Sequence, residues 1–163
     1  MTERKVLLIR GAIIPKLHSH LFLSFQHIDP HLLVKLEHIG IAVRDINAAL
    51  RHYELLFDAT PYKVEEVASE GVRTHFFDAG GTKIELLEAT SPDSPIARFV
   101  EKRGPGLHHL AFSTENADSA WKRLDELGYR VLGDGPKPGA DGKIIFFVHP
   151  SDLEGVLTEF CAE

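Results

Sequence analysis

The chain is poor in cysteine, and Cys161 is the only one among its 163 residues. A single thiol excludes an internal disulfide and agrees with a reducing compartment. Long apolar runs are also missing. None approaches the roughly 20 residues that a membrane span requires. There is no excess of positive charge either: the formal net charge is -6 with ten histidines counted neutral. A mildly acidic chain gives no electrostatic case for nucleic acid as a partner. What remains is 44% hydrophobic and 26% charged, the balance of a soluble globular protein, with the length of one ordinary domain.

Residues 1–34 read apart from the rest. Lys5-Val6-Leu7-Leu8-Ile9 is too short, and too soon interrupted by Arg10, for a secretory signal. Pro15 and Pro30 break the segment further. His18, His20, His27 and His31 there read as surface histidines rather than as a second metal site. The expectation is an extension outside the functional module and a cytoplasmic protein. A basic, acid-poor leader could instead direct the chain to the mitochondrial matrix, although this one is not Ser-rich.

The remainder, 35–163, contains an internal repeat. LEHIGIAVRDINAALRHYELL from Leu36 aligns with LHHLAFSTENADSAWKRLDEL from Leu107, at an offset of 71 residues. Each copy opens on a strand-like run, turns a polar corner and enters an amphipathic helix. The first helix is capped near Asp45 and carries Ile46, Leu50, Tyr53 and Phe57 on one face. The second is capped by Asn116 or Asp118, buries Ala120, Trp121, Leu124 and Leu127, and stops at Gly128. Three strands follow each helix: 62–67, 72–77 and 83–87 in the first copy, 130–132, 144–148 and 156–161 in the second. Between the copies, Ser94-Pro95 starts a linker helix that ends at Gly104. The fold class is therefore α+β. Module one spans about 35–90, the linker about 94–103 and module two about 106–163. Two such βαβββ units can form a curved mixed sheet with a cleft inside and helices outside.

Side-chain alternation picks out the chemistry. In the first strand, Ile39, Ile41 and Val43 share one face, while His38 shares the other with Gly40 and Ala42. In the matching strand, His109 shares a face with Ala111 and Ser113, and His108 falls on the helix side. The last strands carry matching carboxylates, since GTKIE places Glu85 four residues after Gly81 and GVLTE places Glu159 four after Gly155. Two histidines and two glutamates at symmetric positions suit a borderline divalent metal. An octahedral ion held by four such ligands keeps two adjacent positions for substrate oxygens.

Several motifs together resemble the methylmalonyl-CoA epimerases: HIGIAVRD, GTKIELLEATSPDSPIARFVEKRGPGLHHLAF, KPGADGK and HPSDLEGVLTEF. The resemblance runs from about Lys35 to the C-terminus. It implies paired βαβββ modules of the vicinal-oxygen-chelate (glyoxalase-like) fold, a homodimer and a coenzyme A thioester substrate. It also implies a divalent cofactor, cobalt or manganese first, with nickel and zinc as alternatives. The family's ligand positions fall on His38, Glu85, His109 and Glu159. Some members carry Gln at the second of these. The implied reaction removes and returns a proton next to a thioester, with Glu159 as one base. Where some members carry a second acid, this chain has Thr74, a poor base; Glu85 or another nearby group would then serve. Lys137 and Lys143, in the Gly/Pro-rich loop, are candidates for contact with the substrate's carboxylate or phosphates. Cys161 reads as a packing residue, Glu88 as solvated and His149-Pro150 as a turn. Two other readings share the fold: glyoxalase I, whose typical ending differs from HPSDLEGVLTEF, and a non-catalytic binding protein, which would generally lack the full ligand set.

Overall fold

The computed structural model describes residues 35–163; the expectations for 1–34 lie outside the described residues. The elements follow in the order β1 (Leu36–Val43), α1 (Ile46–Phe57), β2 (Lys63–Val67), β3 (Val72–Asp78), β4 (Lys83–Ala89), α2 (Pro95–Arg103), β5 (Gly106–Ser113), α3 (Ala117–Glu126), β6 (Val131–Pro138), β7 (Ile144–Val148) and β8 (Thr158–Ala162). All eight strands form one sheet, ordered β2-β3-β4-β1-β5-β8-β7-β6. Each module contributes four. The first strand of each module pairs in parallel with the last (β1 with β4, β5 with β8), and the modules join through the antiparallel pair β1–β5. The helices start where the sequence marks them. Asp45, Ser94 and Asn116 each accept a hydrogen bond from a backbone N–H of the first turn, satisfying a donor that the helix itself cannot. Gly128 follows α3 with φ 83°, a conformation that costs glycine little.

Apolar cores lie between sheet and helices. Under α3, Ala117, Ala120 and Leu124 pack on Phe146, Val148, Phe160 and Ala162. Phe146 and Phe160 stack with centroids 5.0 Å apart. Under α1, Tyr53 and Phe57 meet the buried Phe77. The sheet curls until its edges approach. Lys63 on β2 binds Asp141 of the β6–β7 loop (2.8 Å), and the Asp141 N–H donates to Glu65 (2.9 Å). Lys137 on β6 pairs with Glu70, in the turn after β2. One strand limit departs well from the sequence reading. β6 continues to Pro138 through Gly133, Gly135 and Pro136, which read as turn residues, so Lys137 lies on a strand. Its pairing with β7 is irregular between Leu132 and Lys137.

Candidate metal centre

The concave side of the sheet encloses a cavity of about 680 Å³ whose lining includes His38, Glu85, His109 and Glu159. All four are buried, on β1, β4, β5 and β8, so each module supplies one histidine and one glutamate. Sheet register brings them together. Gly40 lies opposite both His109 and Glu85, and Ala111 opposite Glu159 and His38. The small neighbours leave the space that the larger side chains occupy. A Cβ on Gly40 would stand 2.2 Å from His109 Cε1.

Three of the four form a tight cluster, with ligand atoms of His38, His109 and Glu159 within 4.8 Å of one another. His38 Nε2 is 3.0 Å from His109 Nε2 and 3.7 Å from Glu159 Oε1, and His109 Nε2 is 3.4 Å from Glu159 Oε2. Glu85 stands apart from this cluster, its Oε1 3.5 Å from the other ring nitrogen, His38 Nδ1. Two imidazole nitrogens at 3.0 Å need one proton between them. Burial disfavours charge on both rings. On His38 it is outweighed by the neighbouring Glu159 carboxylate, by the hydrogen bond to Glu37 and by the charge of Glu85, which raise the ring to about 10. His109 has no such compensation and is pushed well below its ordinary value by burial and by the charges of His38 and His108. Burial raises the Glu85 carboxyl to about 7. The imidazole and carboxylate donors gathered here suit a divalent ion.

A second group, Glu37, His38 and Cys161, also has ligand atoms in mutual reach. Glu37 is already engaged by Lys83. The Cys161 thiol donates to the Phe112 carbonyl, and burial with the charges of Glu159 and Glu37 pushes it up to about 12. It packs, as its sequence context suggests.

Two residues of the site were not legible from alternation. Leu36 opposes Phe112 and His38 opposes Ala111, so Glu37 is an extra residue in β1. Gly40 opposes His109 and Ile41 opposes Leu107, so His108 is an extra residue in β5. Such bulges re-aim a side chain. His108, expected on the helix side, packs edge-on against Phe99 of α2 (centroids 4.9 Å) and also lines the cavity, its Nδ1 2.9 Å from His109 Nδ1. Glu37 likewise joins the cavity and reaches His38 Nδ1 at 2.6 Å. The two bulged residues sit at equivalent repeat positions, each just before its histidine. The repeat alignment marks that equivalence; no side-chain pattern marks the bulge.

Thr74, Lys137 and Lys143 also line the cavity. Thr74 is buried on β3, whereas Lys137 is paired with Glu70 and Lys143 with Glu163. Glu88 is half-buried and binds Arg73 (3.1 Å). His149 caps the turn Pro150–Asp152.

Comparison with known proteins agrees with this architecture. Residues 37–147 match the family model of the Glyoxalase/Bleomycin resistance protein/Dioxygenase superfamily. The ethylmalonyl-CoA/methylmalonyl-CoA epimerase of Cereibacter sphaeroides is 41% identical over 130 residues, which is 78% of this chain and 97% of that protein. The crystal structure of methylmalonyl-CoA epimerase from Mycobacterium tuberculosis superposes with a TM-score of 0.77 at 30% identity, over 84% of this chain and 93% of that one. A variant of the Streptomyces coelicolor methylmalonyl-CoA epimerase in complex with 2-nitronate-propionyl-CoA superposes with a TM-score of 0.75 at 35% identity, over 80% and 98%. The chain belongs to the methylmalonyl-CoA epimerase family, within the glyoxalase/bleomycin resistance protein/dioxygenase superfamily.

Proposed function

We propose that this protein interconverts the (R) and (S) epimers of methylmalonyl-CoA and depends on a divalent metal ion held by His38, Glu85, His109 and Glu159. The observation that carries the reading is the meeting of equivalent strands from two modules, which bury two imidazoles and two carboxylates in one cavity. Cobalt or manganese fits the donor set, with nickel and zinc as alternatives. The ion would supply Lewis-acid stabilisation of the negative charge that develops on the substrate's oxygens.

The chain's own residues handle the proton. Epimerisation removes it from the carbon between thioester and carboxylate, gives the enolate of the substrate and returns a proton to the opposite face. Glu159 on β8 takes the proton on one face. Glu85 on β4, from the other module, serves the second face; among the described residues its nearest basic neighbour is His38 Nδ1, 3.5 Å from Oε1. Thr74 is a hydroxyl and acts only in orienting the substrate. Lys137 and Lys143 reach the substrate's anionic groups by exchanging their present partners, Glu70 and Glu163, for its carboxylate or phosphates.

A stereospecific coupled assay on one epimer tests the reading. Metal-stripped protein should be inactive and regain turnover with cobalt or manganese. Robust turnover of the glutathione–methylglyoxal adduct, with none on methylmalonyl-CoA under any metal, would reassign it to glyoxalase I. We further infer a homodimer, which sedimentation would check, and a cytoplasmic or mitochondrial-matrix location. No described helix is long and apolar enough to cross a membrane.

A further inference from the structure

The buried acid next to His38 is not among the four candidate ligands, yet it is 4% exposed. Burying a carboxylate is unfavourable unless it is paired. Glu37 is paired on both sides. Its Oε2 accepts from His38 Nδ1 at 2.6 Å, and its Oε1 accepts from Lys83 Nζ at 2.6 Å. Lys83 in turn donates to Asp141 Oδ2 at 2.6 Å, and Asp141 Oδ1 accepts from Lys63 at 2.8 Å. A continuous line of charge-assisted hydrogen bonds runs from the loop over the cavity to the imidazole of His38.

We propose that Glu37 is a positioning residue: it holds His38 Nδ1 so that Nε2 faces His109 and Glu159, and Lys83 with Asp141 fixes Glu37 in that role. The inference rests on the metal reading of the site. An imidazole can offer either nitrogen to a metal, and the hydrogen bond at one sets which is free. Without Glu37, the Nδ1 hydrogen has a second acceptor within reach, Glu85 Oε1 at 3.5 Å. Glu37 takes that bond and so spares Glu85 from it. The bulge in β1 makes this geometry available, since a regular strand would turn consecutive side chains to opposite faces. In module two, the equivalent His108 stands with its Nδ1 2.9 Å from His109 Nδ1. One candidate ligand is therefore steadied by a carboxylate and the other by a second imidazole.

Metal affinity of stripped protein, read by competition with a chromophoric chelator, tests this independently of turnover. Glu37→Ala should weaken binding about 10- to 100-fold, the usual effect of losing such a partner. Glu37→Gln keeps the volume and an acceptor, and should lose less. Lys83→Met, which removes the cation between Glu37 and Asp141 and leaves the four candidate ligands in place, should weaken binding in the same direction. Melting in chelator reports whether each variant is folded, and if Glu37→Ala is not, the Gln and Met variants carry the test. In zinc-loaded protein, the ring ¹⁵N resonances of His38 should show Nε2 as the bound nitrogen, and Glu37→Gln, a weaker acceptor, should populate that state less fully. Folded Gln and Met variants that bind metal within twofold of wild type, with unchanged ring resonances, would overturn the inference and leave the site reading standing. A wild-type protein that binds no metal would overturn both.

Discussion

At the scale of single residues, the site depends on what is small as much as on what ligates. Gly40 carries no side chain, and the His109 ring lies over it. An added methyl would meet Nδ1 at 2.5 Å and Nε2 at 2.7 Å. Gly40→Ala should therefore displace His109 and weaken metal binding, by titration of stripped protein, while circular dichroism stays that of a folded chain. Glu159→Gln tests the proton acceptor. Turnover should fall by at least the 100- to 10,000-fold typical of general-base catalysis. Thr74→Ala should cost far less in the same assay, since a hydroxyl is no base near neutral pH. The four candidate ligands were legible because His38 and His109, and Glu85 and Glu159, stand in register across two repeats. Glu37 and His108 were not, because alternation assumes a regular strand and each sits at an irregularity in it.

At the scale of elements, helix starts were legible and some strand limits were not. A cap is a local hydrogen bond that its own residue announces. Asn116 accepts from the Ser119 N–H at 2.8 Å, and Asn116→Ala should lower stability by about 1 kcal/mol in denaturant titration, with kcat unchanged. Packing beneath that helix matters more. Leu124 is buried against the Phe146–Phe160 side of the sheet, and Leu124→Ala should cost about 2–5 kcal/mol in the same measurement. β6 was harder to read. Its Gly133, Gly135 and Pro136 carry the chemistry of turns and fall in the irregular stretch, while Val131, Leu132, Lys137 and Pro138 on either side pair with β7.

At the scale of the whole molecule, the repeat explains the fold: neither module alone encloses a cavity, and β1 against β5 joins their sheets into one. The fastening of the free edges was not legible, because it depends on ion pairs between residues far apart in sequence, Lys63 with Asp141 and Lys83 with Asp141. Burial opposes the charge on Asp141, but hydrogen bonds from Lys63 and Lys83 outweigh it and lower its carboxyl from 3.8 to about 2. A carboxylate depressed in this way stabilises the fold above its unfolded value, and that contribution is lost as pH falls through the folded one. Thermal stability should thus decline between about pH 4 and pH 2, and Asp141→Asn should flatten that part of the profile. A chain beginning at Val34 retains every strand of the described sheet and should fold and turn over as the full chain does.

The central claim concerns proton exchange on one carbon, aided by metal. A proton taken from one face and returned on the other passes through groups that exchange with solvent. Methylmalonyl-CoA incubated with the metal-loaded protein in heavy water should gain deuterium at its α-carbon, as mass spectrometry would show, and chelator should stop the uptake. Absence of uptake with every divalent metal supplied, or uptake at the same rate in metal-stripped protein, would contradict the account.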